Sequence, residues 1–110
     1  MTITYTQLAQ ARENSTSAVS LYQCNAGETT QIFGKFVNVS STMALLRVFH
    51  DQAAAVYDET TALVWDFKLL PGELFELNHV FLNNPSGNLA YRTSVANAIT
   101  ATIYGVVRFE

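Results

Sequence analysis

Cysteine is nearly absent. The single Cys24 among 110 residues leaves no internal disulfide to form, so the fold does not rest on oxidation and a reducing compartment is compatible with it. Charge is scarce too: 14% of residues are charged, against about a quarter in ordinary soluble domains. The six Lys and Arg stand singly at positions 12, 35, 47, 68, 92 and 108. No basic stripe exists to neutralise a phosphate backbone, which argues against a nucleic-acid partner. No stretch of about 18 apolar residues occurs, so a membrane-spanning helix is not expected. Met1-Thr2-Ile3-Thr4-Tyr5 lacks the basic leader and apolar run of a secretory signal, and synthesis in a host cytoplasm is expected. Asn14-Ser15-Thr16 and Asn38-Val39-Ser40 fit the glycosylation pattern, but without a secretory signal both are taken as chance.

The residues of catalysis are equally thin. His50 and His79 stand far apart in the sequence, and neither has a partner at the three-to-five-residue spacing of zinc sites. There is no Gly-x-Ser-x-Gly elbow, and no histidine near Cys24 in sequence to take its proton. Cys24 is expected as a small, half-buried strand residue, and the two histidines as rim or connection residues. Asp58-Glu59, Glu73 and Glu76 lack EF-hand spacing and suit solvated loops. No catalytic, cofactor-binding or metal-ligating residue is assigned, and the chain is not expected to be an enzyme.

What is present is strand character. A chain of this length buries roughly two-thirds of its unfolded surface, and 49% of its residues are hydrophobic. Thr, Val, Ile, Phe and Tyr cluster in short runs broken by Gly, Pro, Asn and Ser, with little three-and-four-residue periodicity. In the last run Ile99, Ala101, Ile103, Gly105, Val107 and Phe109 share one face, expected inside, while Thr100, Thr102, Tyr104, Val106 and Arg108 share the other. Gly105 leaves room on the inner face for a bulky neighbour or a bend. Gly87–Ser94 is a strand expected to form a hairpin with the last one through Val95-Ala96-Asn97-Ala98. Thr29–Val39 and Met43–His50 are likewise expected to form a hairpin through Ser40-Ser41-Thr42, with Met43–His50 apolar on both faces and so covered on both sides.

Trp65–Leu70 leads into Pro71-Gly72, the composition of a type II turn, followed by Leu74–Leu77; Asn83-Asn84-Pro85-Ser86-Gly87 marks another turn. Ile3–Gln10 and Val19–Cys24 are shorter strands separated by the polar Ala11–Ser17. Asp51–Thr60, with Ala53-Ala54-Ala55, is expected as a helical turn or long loop. About eight short strands in one domain point to an all-β antiparallel sandwich or jelly roll. Residues 1–17 are an N-terminal arm or edge strand.

Aromatic residues, 12% of the chain, offer contact surface, since exposed Tyr and Trp fill partner pockets or stack on sugars. Tyr57 and Trp65 are the first candidates, ahead of Tyr91 and Tyr104. Trp65, beside Val64 and Phe67, is expected to be buried before it is a contact.

Taken in order, five segments carry a resemblance: Tyr5-Thr6-Gln7-Leu8-Ala9-Gln10, Ser20 to Thr30 with its Leu21-Tyr22, Phe36-Val37-Asn38-Val39-Ser40, Leu70 to Leu77 with its Pro71-Gly72, and Ala101-Thr102-Ile103-Tyr104-Gly105-Val106. Together they span nearly the whole chain, which resembles a family of small virion proteins of tailed bacteriophages, cyanophages among them. In that family a Leu-Tyr pair precedes a tight turn, an Asn ends the next long strand, a Pro-(Ala/Gly) turn precedes an edge strand, and a Gly lies near the C-terminus. This chain departs in carrying Asn25 where proline is usual. The resemblance implies a β-sandwich that decorates or cements the particle, or serves its neck or tail, without a cofactor. Its partners would be further copies of itself, for example in a trimer, and the major capsid or neck and tail proteins. Ile3, Tyr5 and Leu8 of the N-terminal segment would complete a neighbour's sheet. The competing expectation is a receptor- or carbohydrate-binding module, for which Tyr57-Asp58 and Asn83-Asn84 are the candidate site residues.

Overall fold

The computed structural model describes residues 2–52, 55–82 and 85–109. Eight strands follow in order: β1 (Thr2–Arg12), β2 (Val19–Gln23), β3 (Glu28–Asn38), β4 (Ala44–Asp51), β5 (Ala62–Leu69), β6 (Leu74–Leu82), β7 (Asn88–Thr93) and β8 (Ile99–Phe109). They form two antiparallel sheets, ordered β1-β8-β3-β6 and β2-β7-β4-β5. Six of the seven connections cross from one sheet to the other, and this interleaving is a double-sheet jelly roll. Among the described residues there is no helix, hence none long and apolar enough to cross a membrane.

Period-two alternation builds the core. Ile32 and Phe36 of β3, Leu46 and Val48 of β4, Leu89 and Tyr91 of β7, and Ile99, Ala101 and Ile103 of β8 are all buried between the sheets. Each large side chain so buried is worth about 1.5–3 kcal/mol against exposure. The Phe36 ring packs against Tyr91 at 5.8 Å and Phe75 at 6.3 Å between centroids. On β8 the inner face is the one its alternation predicts, except that Phe109 is exposed at the sheet's end. Gly105 leaves the expected gap, and Leu8 fills it: a Cβ there would stand 2.5 Å from Leu8 Cδ1. A bulge between Gln7 and Ala9 in the β1–β8 pairing accompanies that inward turn of Leu8.

Both expected hairpins are absent. β3 pairs with β6 and β8, and β4 with β5 and β7; β7 pairs with β2 and β4, and β8 with β1 and β3. A strand has two hydrogen-bonding edges, and in each of these strands both are taken by others. The short polar loops are corners between layers. At Ser40-Ser41-Thr42 the Asn38 carboxamide makes the corner, donating to Thr42 O (2.8 Å) and Leu69 O (2.9 Å) and accepting from Ser40 N (2.9 Å) and Ser40 Oγ (2.8 Å). At Val95–Ala98, Asn97 takes φ +60° and its N–H donates to Glu13 O at 2.8 Å. Pro71-Gly72 forms its type II turn as expected, with Gly72 at φ +83° and Glu73 N donating to Leu70 O at 2.9 Å, but it too joins strands of opposite sheets.

β1 is an edge strand, paired with β8 from Thr2 opposite Phe109 to Arg12 opposite Thr100. Residues 55–61 are loop and turn with no helix; Ala53-Ala54 and Asn83-Asn84 lie outside the described residues.

Candidate interaction surfaces

The outer face of the β1-β8-β3-β6 sheet gathers aromatic and aliphatic side chains. Register puts Tyr5 opposite Val106, Gln7 opposite Tyr104, and Phe33 opposite Tyr104 on the other side of β8. Tyr5 is 79% exposed and Ile3 and Tyr104 nearly half. Between them is a shallow depression of about 380 Å³, lined chiefly by Tyr5, Gln7, Phe33, Tyr104 and Val106. Ile3 and Tyr5 therefore lie on one surface. Leu8, placed with them by sequence, faces the opposite way, into the core against Gly105.

The outer face of β2-β7-β4-β5 is built differently. Phe49 is only 2% exposed although it points away from the core, because Tyr57 (6.0 Å) and Trp65 (6.3 Å, edge-on) pack around its ring. These aromatics, and no further layer, give β4 its covered outer side. Trp65, expected buried, is 42% exposed. Irregular pairing of β5 with β4 and a φ of +52° at Asp66 turn Trp65 and Asp66 outward together. The Arg47 guanidinium lies 3.7 Å from the Trp65 ring centroid and grips Asp66 through Nε (2.6 Å) and Nη2 (3.2 Å). That grip holds the Asp66 carboxyl below its ordinary range.

Tyr57 and Trp65 are thus brought to one surface, each touching Phe49. The Tyr57-Asp58 pair does not present a free polar edge beside the ring. Tyr57 Oη donates to Asn88 Oδ1 (3.4 Å), and Asp58 Oδ1 accepts from Thr60 N (2.8 Å) and Thr60 Oγ1 (2.5 Å) inside its own turn.

The remaining chemistry-bearing groups serve the fold. Cys24 is buried, its thiol directed at Leu82 O and Glu28 O, both 3.4 Å; burial and then nearby Glu28 push its pKa to about 11, the opposite of an activated thiol. Glu28, 3% exposed, accepts from Tyr22 Oη (2.6 Å), Thr30 Oγ1 (2.7 Å) and Asn25 Nδ2 (3.3 Å). Burial alone would raise its pKa, but these donors outweigh it and the net shift is downward. Burial and the bond to Glu28 lift Tyr22 to about 12. Glu73 Oε1 accepts from Leu70 N at 2.6 Å and locks the type II turn. His50 is half-buried, at the rim of β4 as expected; the His79 side chain lies outside the described residues. Among the described residues no group of three or more His, Cys, Asp or Glu is placed to hold a metal ion.

Sequence reasoning missed two constellations. Arg47 in an apolar strand and Asp66 in the middle of another were the available signals for the first. For Glu28, a carboxylate at a strand start, composition offers nothing that separates burial from exposure.

No family model and no curated protein matches the chain. Among solved structures it is similar to a chain in the crystal structure of the T13 IBDV viral particle, with a TM-score of 0.55 and 14% identity, covering 98% of this chain and 31% of that one. This chain spans about a third of that neighbour's length, and the likeness is one of fold.

Proposed function

We propose that the chain is a structural protein of a virion, of the capsid-decoration or cement type, working without catalysis through contacts between copies of itself and with capsid, neck or tail proteins. The observation that carries this reading is the outer face of the β1-β8-β3-β6 sheet, where Ile3, Tyr5 and Tyr104 expose apolar surface beside the edge strand β1. β1 is an 11-residue edge strand with no Pro or Lys and one charge, Arg12 at its end; such an edge invites pairing with another chain. Support comes also from the fold shared with a chain of the T13 IBDV viral particle and from the sequence resemblance to tailed-phage virion proteins.

The test is the molar mass in solution by light scattering, followed by mixing with empty capsids. The expected result is a defined oligomer, such as a trimer, that binds capsids; Tyr5→Ser with Tyr104→Ser should dissociate it without unfolding the monomer. Deleting residues 1–12 is a poor test, because it removes all of β1 and with it Leu8 from its seat at Gly105. A monomer indifferent to capsids would count against the reading. The exposure of Trp65 favours a second reading, a receptor- or saccharide-binding module; a saccharide titration without signal would dismiss it.

A further inference from the structure

Arg47 of β4 and Arg92 of β7 stand directly opposite each other in the ladder, an arrangement in which like charges repel. The fold supplies one hydrogen-bonded counter-charge, Asp66, from the strand on the far side of β4, with Glu59 acting on Arg47 from farther off. Both Asp66 oxygens are spent on Arg47, and placing them there involves a backbone conformation, φ +52°, uncommon for a residue other than glycine though tolerated by Asp. One carboxylate therefore serves two arginines. Arg92 donates Nε to Thr16 O at 2.6 Å; among the described residues the rest of its fork has no protein hydrogen-bond partner.

Next to it, Ser94 Oγ accepts from Leu45 N at 2.8 Å, which leaves the hydroxyl hydrogen to be donated. Leu45, Arg47, Asp66, Arg92 and Ser94 enclose a cleft of about 120 Å³. That is well below the ~300–1,000 Å³ of sites that bury a whole small molecule. It is a place for a functional group attached to something larger. The lining residues, with two arginines and one aspartate, carry a charge of +1 on a chain whose net charge is −3.

We propose that this cleft receives a single carboxylate, presented by an Asp or Glu side chain of a partner protein. Arg92 supplies the charged fork and Ser94 the second donor, while Leu45 lines the apolar wall and the exposed Trp65 lies against Arg47 at its edge. Asp66 occupies Arg47, so only one carboxylate is accepted and its position is fixed. A phosphate, with its second charge, would be repelled by Asp66 more strongly than a carboxylate. The site stands on its own geometry, whatever assembly the chain belongs to.

The experiment is an NMR titration of the full chain, following the Ser94 amide and Arg92 Nε–H signals at constant ionic strength. The probes are acetyl-Gly-Asp-Gly-amide, its Asn counterpart, N-acetylneuraminate and inorganic phosphate. The Asp peptide is expected to produce saturating shifts with a Kd of roughly ten-millimolar order, as the Arg92 fork and the Ser94 hydroxyl acting together allow. The Asn peptide and Arg92→Gln should each weaken binding at least ten-fold, with Arg92→Lys intermediate. Asp66→Asn, which keeps a side chain tolerant of the same φ and frees Arg47, should tighten it several-fold. Shifts that do not saturate, equal binding of the Asn peptide, or weaker binding by Asp66→Asn would overturn the site. Tighter binding of N-acetylneuraminate or phosphate than of the Asp peptide would overturn the protein partner.

Discussion

At one end of β3 the sandwich closes around the carboxylate of Glu28, and at the other around the carboxamide of Asn38, which has no exposed surface. Both residues satisfy polar groups that a corner leaves inside the protein, as buried polar groups require, but the groups differ. At the Glu28 end the neighbours are donors: the hydroxyls of Tyr22 and Thr30 and the amide of Asn25. An ionised carboxylate, which only accepts, suits them. At the Asn38 end there are two carbonyls, of Thr42 and Leu69, as well as the Ser40 donors, and only an amide can serve both kinds. The comparison teaches that the partners dictate the residue, and that only one end of β3 depends on pH.

The sharpest way to break this symmetry is Glu28→Ala, which strands the Tyr22 and Thr30 hydroxyls and leaves the two Asn25 donors to water. Charged hydrogen bonds of this kind are worth about 1.5–3 kcal/mol each and do not add fully, so a loss of about 3 kcal/mol is expected, a fall in Tm of roughly 12–20 °C by calorimetry. Asn38→Ala, which orphans the buried Leu69 carbonyl, should cost about 2 kcal/mol, read from the urea midpoint at unchanged m-value.

Acid then separates the two ends. Glu28 has a folded pKa below its ordinary 4.5, so its contribution is complete above about pH 4.5 and is lost as pH falls through the folded pKa. Glu28→Gln should be less stable than the wild type at neutral pH and converge with it in acid, whereas Asn38→Ala should keep the wild-type pH profile. Parallel profiles for wild type and Glu28→Gln would show that Glu28 is not the titrating group. The smallest effect is expected of Asn25→Pro. Proline cannot supply the Asn25 N–H and amide donors to Glu28, at 3.4 and 3.3 Å, and a loss of about 1 kcal/mol is expected in the same urea assay.

Much of the sandwich was legible in the chain. Clusters of β-branched and aromatic residues between turn signals located all eight strands, β5 and β6 only in part, and on β8 alternation identified the buried face down to the gap at Gly105, because side-chain period is a local property. Pairing was not legible. Ser40-Ser41-Thr42 and Val95–Ala98 have the composition of hairpin loops, but a corner between sheets needs the same small polar residues, and what separates the two is a contact such as that of Asn38 with Leu69, 31 residues away. Of the candidate contact residues, Ile3 and Tyr5 share one outer face and Tyr57 and Trp65 the other, while Leu8 lies inside because period-two alternation from Tyr5 puts it on the opposite face; the bulge that follows turns Ala9 inward as well. The Arg47–Asp66–Trp65 group and the Arg92 cleft depend on register between three strands, which no short window of sequence contains.

The interleaving of the two sheets also bears on time. With six of seven connections crossing between layers and the first strand paired with the last, almost no native pairing forms from neighbouring residues. The β4–β5 hairpin is the one pair of sequence neighbours that share a sheet. Loop-closure entropy must be met before most contacts form, which puts refolding in the range of roughly milliseconds to seconds. β8 is the partner of both β1 and β3 and follows them in the chain, so these two strands leave the ribosome before the strand that joins them.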